Sequence, residues 1–154
     1  MRTPMDSDVT ISTDRARLDV ALVHEYLSKN AYWALGRERH VVEQSIAASL
    51  NFGIYERRGA MLGYARVVSD FATVYYLADV FVIPARRRQG LGRRLIEYVA
   101  THPELRSLTG ILITKDAADL YRPFGFQDMQ TIDRVALLRR GISKNASDSR
   151  RPEP

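Results

Sequence analysis

Val9-Thr10-Ile11-Ser12 alternates apolar with polar positions, the period of a half-buried strand. Asp14 stands ready to cap a helix whose apolar positions are Leu18, Leu22 and Leu27 and which should end near Asn30. A loop with Tyr32, Trp33 and Gly36 leads to a second helix, on which Val42, Ile46 and Leu50 recur at four-residue spacing and share one face. From Asn51 the period falls to two. Phe52 and Ile54 alternate up to a turn at Arg57-Arg58-Gly59, and a second run from Met61 to Val68 ends at Ser69-Asp70. The third run, Thr73 to Ile83, is rich in β-branched and aromatic residues and is stopped by Pro84, which cannot donate to a ladder. Gly90-Leu91-Gly92 opens a helix with Leu91, Leu95 and Val99 on its apolar face, closed by His102-Pro103. Gly110 to Thr114 predicts a short strand and Ala117 to Arg122 a brief helix stopped by Pro123 and Gly125, and Phe126 to Leu138 predicts one or two last strands.

The order β-α-α-β-β-β-α-β-α-β predicts an α/β fold, a mixed sheet flanked by helices, with the loop from Pro84 to Gly92 as its natural ligand site. The 154 residues suit a single domain over 9–139, between a flexible N-terminus at 1–8 and a Ser-, Asn-, Arg- and Pro-rich tail at 140–154 that reads as disordered. No apolar run is long enough for a membrane helix and the first residues lack a signal-peptide core, so a soluble, cytoplasmic protein with no membrane partner is expected. Without cysteine there can be no disulfide, thiolate metal site or cysteine intermediate. His24, His40 and His102 have no metal-ligand spacing, and no metal is expected.

Charge sharpens the picture at one place. The chain carries a net charge of +5, and Arg86, Arg87, Arg88, Arg93 and Arg94 crowd around Gly90 and Gly92. Two glycines at a helix N-terminus let main-chain amides cradle phosphate. Position 95 is Leu where a dinucleotide fingerprint needs a third glycine, and no Gly-Lys-Ser/Thr follows, so the phosphates belong to another kind of ligand. Nucleic acid would also suit a basic run, but no helix-turn-helix, zinc-finger or aromatic ribonucleoprotein motif accompanies it, and no nucleic-acid partner is expected.

Val82-Ile83-Pro84-Ala85-Arg86-Arg87-Arg88-Gln89-Gly90-Leu91-Gly92 resembles the Val-x-Pro, then Arg/Gln-x-x-Gly-x-Gly/Ala signature of the GNAT acetyltransferase superfamily. Downstream, Ala117-Ala118-Asp119-Leu120-Tyr121-Arg122-Pro123-Phe124-Gly125-Phe126 resembles its second signature, Ala-x-x-Leu-Tyr-x-x-x-Gly-Phe. The likeness spans roughly residues 9–139. It implies a central, mostly antiparallel sheet flanked by about four helices, with strand 4 splayed from strand 5 and a pantetheine arm adding to strand 4 by main-chain recognition.

The resemblance implies acetyl-CoA as co-substrate, with no metal, and direct acetyl transfer to a primary amine of a small molecule or peptide. Main-chain groups of Phe81 and Val82 would meet the acetyl and pantetheine amides. Arg87, Arg88, Gln89, Gly90, Leu91, Gly92 and Arg93 would take the pyrophosphate. Thr114 stands where the second signature often begins with Asn, keeping a hydroxyl but losing an amide donor. Tyr121 occupies the family's general-acid position. Some polyamine-acetylating relatives read Leu-Glu-Asp where this chain has Leu77-Ala78-Asp79, so the usual glutamate base is missing. Asp79 remains as catalytic group or as scaffold, and strict strand alternation would turn it away from the face of Ala78. A homodimer is left open.

Tyr32, Trp33, Arg37, Tyr64, Arg66 and Tyr75, from the inter-helix loop and the middle strands, are the candidate acceptor residues. Aromatic rings could embrace an amine, and packing in the core or at its rim is the alternative for the tyrosines. The two arginines would favour an acceptor with a carboxylate or phosphate, unless paired within the protein. A non-catalytic acyl-CoA-binding module is the other function compatible with the missing glutamate.

Overall fold

The computed structural model describes residues 8–129. The segment 1–7, positions 130–138 of the expected last strand and the tail 140–154 lie outside the described residues. The elements run β1 (Val9–Ser12), α1 (Val20–Asn30), α2 (Arg39–Ala47), β2 (Leu50–Glu56), β3 (Met61–Ser69), β4 (Val74–Val82), α3 (Leu91–Thr101), β5 (Thr109–Leu112) and α4 (Ala118–Tyr121). The fold is thus the expected mixed α/β arrangement, with two local corrections.

Asp14 caps only a 3-10 turn at Arg15–Arg17, accepting from the Ala16 N–H. The cap of α1 is Asp19, whose Oδ1 accepts from Leu22 N–H at 3.0 Å, so Leu18 precedes the helix. Nor does α2 reach Leu50. The Asn51 amide donates to Ile46 O at 2.9 Å and Ser49 O at 3.0 Å, and so satisfies a carbonyl at the end of α2. Leu50 already belongs to β2.

The strands lie in the order β1-β2-β3-β4-β5. The first three pairings are antiparallel, while β4 and β5 run parallel. One face packs Phe52, Ile54, Leu62 and Leu77 against Leu91, Leu95, Ile96 and Val99 of α3. The amphipathic period of α3 supplies this stripe, and each fully buried Leu or Ile contributes about 1.5–3 kcal/mol. The other face packs Tyr55, Tyr64 and Phe81 against Val23, Tyr26 and Leu27 of α1 and Val42 and Ile46 of α2.

Two departures from regular pairing shape the site. β4 pairs with β5 only from Val74–Thr109 to Leu77–Leu112, and then continues without it to Val82. On its other side, Arg66 is opposite Ala78 but Tyr64 is opposite Phe81, so one extra residue of β4 is accommodated at Asp79-Val80. Asp79 has φ +53°, a left-handed conformation that Asp and Asn tolerate better than most residues.

Candidate functional site

Beyond β4 the chain turns through Pro84–Arg86 and enters α3 at Gly90. Arg88 at φ +61° and Gly90 at φ +75° curl the loop back on itself. The first intrahelical bond of α3 runs from Arg94 N–H to Gly90 O, which leaves the amides of Leu91, Gly92 and Arg93 without an intrahelical acceptor. They border a hollow of about 270 Å³ walled by Val82, Arg86, Arg87, Arg88, Gly90, Leu91, Gly92, Arg93 and Leu120. A side chain at Gly92 would project towards Leu120 and Val82, at 3.8 and 3.9 Å.

The arginines of this loop separate by partner. Arg86 is committed to Glu56, and its Nε donates to Gln89 Oε1 at 3.0 Å, so the Gln89 side chain braces the loop. Arg87 donates from Nη2 to the Tyr26 hydroxyl at 2.5 Å and from Nε to Val82 O at 3.2 Å. Arg88 and Arg93 are exposed and have no side-chain partner among the described residues. Amides, two unpaired guanidiniums and a shallow hollow fit a diphosphate-bearing ligand.

The bulge of β4 carries a second constellation. Asp79 Oδ1 accepts from Trp33 Nε1 at 2.9 Å, and Oδ2 accepts from Arg37 Nη1 at 2.9 Å and Arg66 Nε at 2.8 Å. The carboxylate is 2% exposed. Strand alternation is broken by the extra residue, so Asp79 reaches Arg66, the neighbour of Ala78, instead of turning to the other face. Three donors on a buried carboxylate make it a brace for the α1–α2 loop.

Tyr121 sits on α4 with its ring edge-on to Phe126 and is buried. Burial, reinforced by Tyr32 and Asp116 nearby, pushes its phenol up to about 12. The Tyr32 hydroxyl accepts from Lys115 N–H at 3.1 Å, linking the α1–α2 loop to the β5–α4 connection. That loop therefore spans the gap where β4 and β5 part, fastened to β4 through Trp33 and Arg37 and to the far side through Tyr32.

The predicted acceptor residues divide. Trp33, Arg37 and Arg66 come together at Asp79, and Tyr32 lies beside Trp33 with ring centres 5.1 Å apart. Tyr64 is fully buried, its hydroxyl donated to Asn51 Oδ1, and is a core residue. Tyr75 is buried on the opposite face, its ring against Gly110, and cannot share a pocket with Arg66. The Phe81 ring is stacked on Tyr26 with centroids 4.0 Å apart, so its side chain belongs to the core. The Thr114 hydroxyl accepts from Ala117 N–H at 3.0 Å and does not line the hollow at the entrance to α3. Sequence reasoning missed Tyr26, which holds Arg87, and Asn51, which joins α2 to Tyr64; both act through partners far along the chain. Leu120 was visible as an apolar residue of the second signature. Among the described residues no cluster of His, Asp or Glu could hold a metal, and no helix is long and apolar enough to cross a membrane.

Residues 48–128 match the acetyltransferase (GNAT) domain family. A crystal structure of an assigned GNAT acetyltransferase from Xanthomonas campestris pv. campestris superposes with a TM-score of 0.79 at 38% identity, covering 87% of this chain and 93% of that one. An assigned acetyltransferase of Gibberella zeae is 26% identical over 82% of this chain and 83% of its own length. A structure from Clostridium acetobutylicum, an acetyltransferase by assignment and solved with acetyl-CoA, shares the fold at a TM-score of 0.59 and 15% identity, covering 86% and 95% of the two chains. The parted strands, the arginine-rich turn into α3 and the match that runs through both make this chain a member of the GNAT family of acetyltransferases, enzymes of acetyl-CoA-dependent acetyl transfer.

Proposed function

We propose that the protein transfers acetyl from acetyl-CoA to a primary amine by direct attack within a ternary complex. The observation that carries this reading is the continuity of the arginine-walled hollow with the length of β4 that β5 leaves unpaired. The amides of Leu91, Gly92 and Arg93, with Arg88 and Arg93, hold the pyrophosphate in this reading, and the main chain of β4 near Phe81 and Val82 takes the pantetheine amides. Val82 O already accepts from Arg87, so its neighbours carry more of that recognition. Acetyl-CoA supplies an activated thioester. No cysteine is available for a covalent relay, which supports direct attack over a thioester intermediate on the protein.

A primary amine is mostly protonated at neutral pH, with an ordinary pKa of about 10.4. Asp79 is too enclosed and too heavily bonded to take its proton, and acts as a positioning residue. Proton removal falls to water. Tyr121 keeps its own proton across the working range. Complete transfer from a phenol pushed up to about 12 to an alkyl thiolate, whose acid is the stronger of the two (about 8.5 for the cysteine thiol), would run uphill. Its fitting role is a hydrogen bond to the departing sulfur, which stabilises the developing anion without leaving a phenolate behind.

Calorimetric titration with acetyl-CoA, followed by thiol release with amino acids, polyamines, aminoglycosides and peptides, tests the reading. Saturable binding and release with one class of amine are expected. Binding without release for every amine would instead identify an acyl-CoA-binding module.

A further inference from the structure

We infer that the amine acceptor carries an anionic oxygen group, a carboxylate or a phosphate, which is bound by Arg37 and Arg66. Two guanidiniums meet one carboxylate at the β4 bulge, and the cluster keeps a net charge of +1. Their side chains are 22% and 15% exposed, so this charge is largely withdrawn from water yet open on one side. Among the described residues no second acid pairs with either arginine. Glu38, next to Arg37, is turned to His40 at 3.1 Å. Arg66 Nη1 reaches only the neutral Ser49 hydroxyl at 3.2 Å. Nε and Nη2 of Arg37 and Nη2 of Arg66 have no partner among the described residues.

Donors left over on a half-desolvated cation suit an oxyanion, which can accept from a guanidinium fork. A polyamine would meet repulsion at the same place. Asp79 orients the pair, and Ala78, opposite Arg66 on β3, lies one residue past the last β4–β5 pairing, where the strands part. This deepens the acetyltransferase reading and rests on it for the chemistry after binding.

Trp33 is the sole tryptophan of the chain and is bonded to Asp79, so its fluorescence reports on the cluster without any chemistry. At low salt, the protein is titrated with β-alanine against β-alaninamide and with 2-aminoethyl phosphate against 2-aminoethanol, following Trp33 emission, and thiol release is measured in parallel. The anionic member of at least one pair should bind about tenfold or more tightly, and the arm that responds distinguishes carboxylate from phosphate. Arg37→Gln should remove the preference and Arg37→Lys should reduce it, with acetyl-CoA affinity retained. Equal binding within both pairs, or a preference that survives Arg37→Gln, overturns the inference. If Arg37→Gln does not fold, the wild-type pairs and Arg37→Lys decide. An anion preference at Trp33 with no thiol release from any amine would support the oxyanion site and count against the acetyltransferase reading alone.

Discussion

Trp33 Nε1 donates to Asp79 Oδ1 at 2.9 Å, tying the α1–α2 loop to the middle of β4 across 46 positions of sequence. Because Arg37 and Arg66 share the same carboxylate, Asp79→Asn should leave two guanidiniums crowded without a counter-charge. Asn accepts the φ of +53° as readily as Asp, so the backbone should survive and the loss should come from charge. Breaking a buried pair costs about 3–5 kcal/mol; with both arginines partly exposed, about 2–4 kcal/mol is expected from denaturant unfolding. Adding Arg37→Gln to Asp79→Asn should recover part of it. An Asp79→Asn protein of unchanged stability would show that the brace carries no weight.

Gly92→Val tests the hollow. A Cβ at this position has Leu120 and Val82 as its nearest neighbours, at ordinary contact distances, and sits in the first turn of α3 without a left-handed φ. Stability should therefore hold within about 1 kcal/mol, whereas acetyl-CoA affinity should fall by about a hundredfold as the branched side chain fills the space the phosphates need. Calorimetry and thermal melts on the same preparation give both numbers.

Tyr121→Phe should lower kcat by about 10²- to 10³-fold, the scale of one lost donor to a developing anion. A phenol raised to about 12 stays protonated from pH 6 to 10, so it adds no descending limb there. The rise of rate with pH, set by deprotonation of the amine, should keep its shape in the variant and only drop. A wild-type profile that falls between pH 8 and 10, with the fall absent in Tyr121→Phe, would contradict this.

Alkali should unfold the protein through its buried phenols. Tyr55, Tyr64, Tyr75 and Tyr121 are all raised chiefly by burial, and the Tyr55 hydroxyl has no hydrogen-bond partner among the described residues. The unfolded chain releases these protons near pH 10, before the folded one does, so stability is intact below that pH and declines as pH rises beyond it. For Tyr121, raised to about 12, the loss reaches about 2–3 kcal/mol. The share of phenolate absorbance that belongs to the four buried tyrosines should appear only together with the loss of helical circular dichroism above pH 10, and not ahead of it.

The parts of the fold that repeat were legible in the chain. Period-two runs located β2, β3 and β4, Pro84 marked the end of β4, and the Gly90-Leu91-Gly92 opening with the stripe of Leu91, Leu95 and Val99 placed α3, because each depends on local geometry and a one-sided core. The bulge was not legible. One residue in a left-handed conformation at Asp79 shifts the phase of β4, and an aspartate in a strand gives no periodic sign of it. The arginines were legible as cations, but Arg37 and Arg66 find their carboxylate 42 and 13 residues away, and only the fold brings them to it. Tyr64 and Tyr75 look alike as strand tyrosines; burial separates them from Tyr32.

The parting of β4 from β5 creates a strand edge inside the sheet. From Ala78 to Val82 no described strand pairs with the β5 side of β4, so its main-chain donors and acceptors there answer to whatever extended chain arrives. Edges of this kind recruit other polypeptides as readily as ligands. The Tyr32-Trp33 loop, which crosses the gap where the strands part, and the pantetheine arm of the proposed complex would thus share a protective duty: they would shield an edge whose self-association hazard is greatest with no ligand on it.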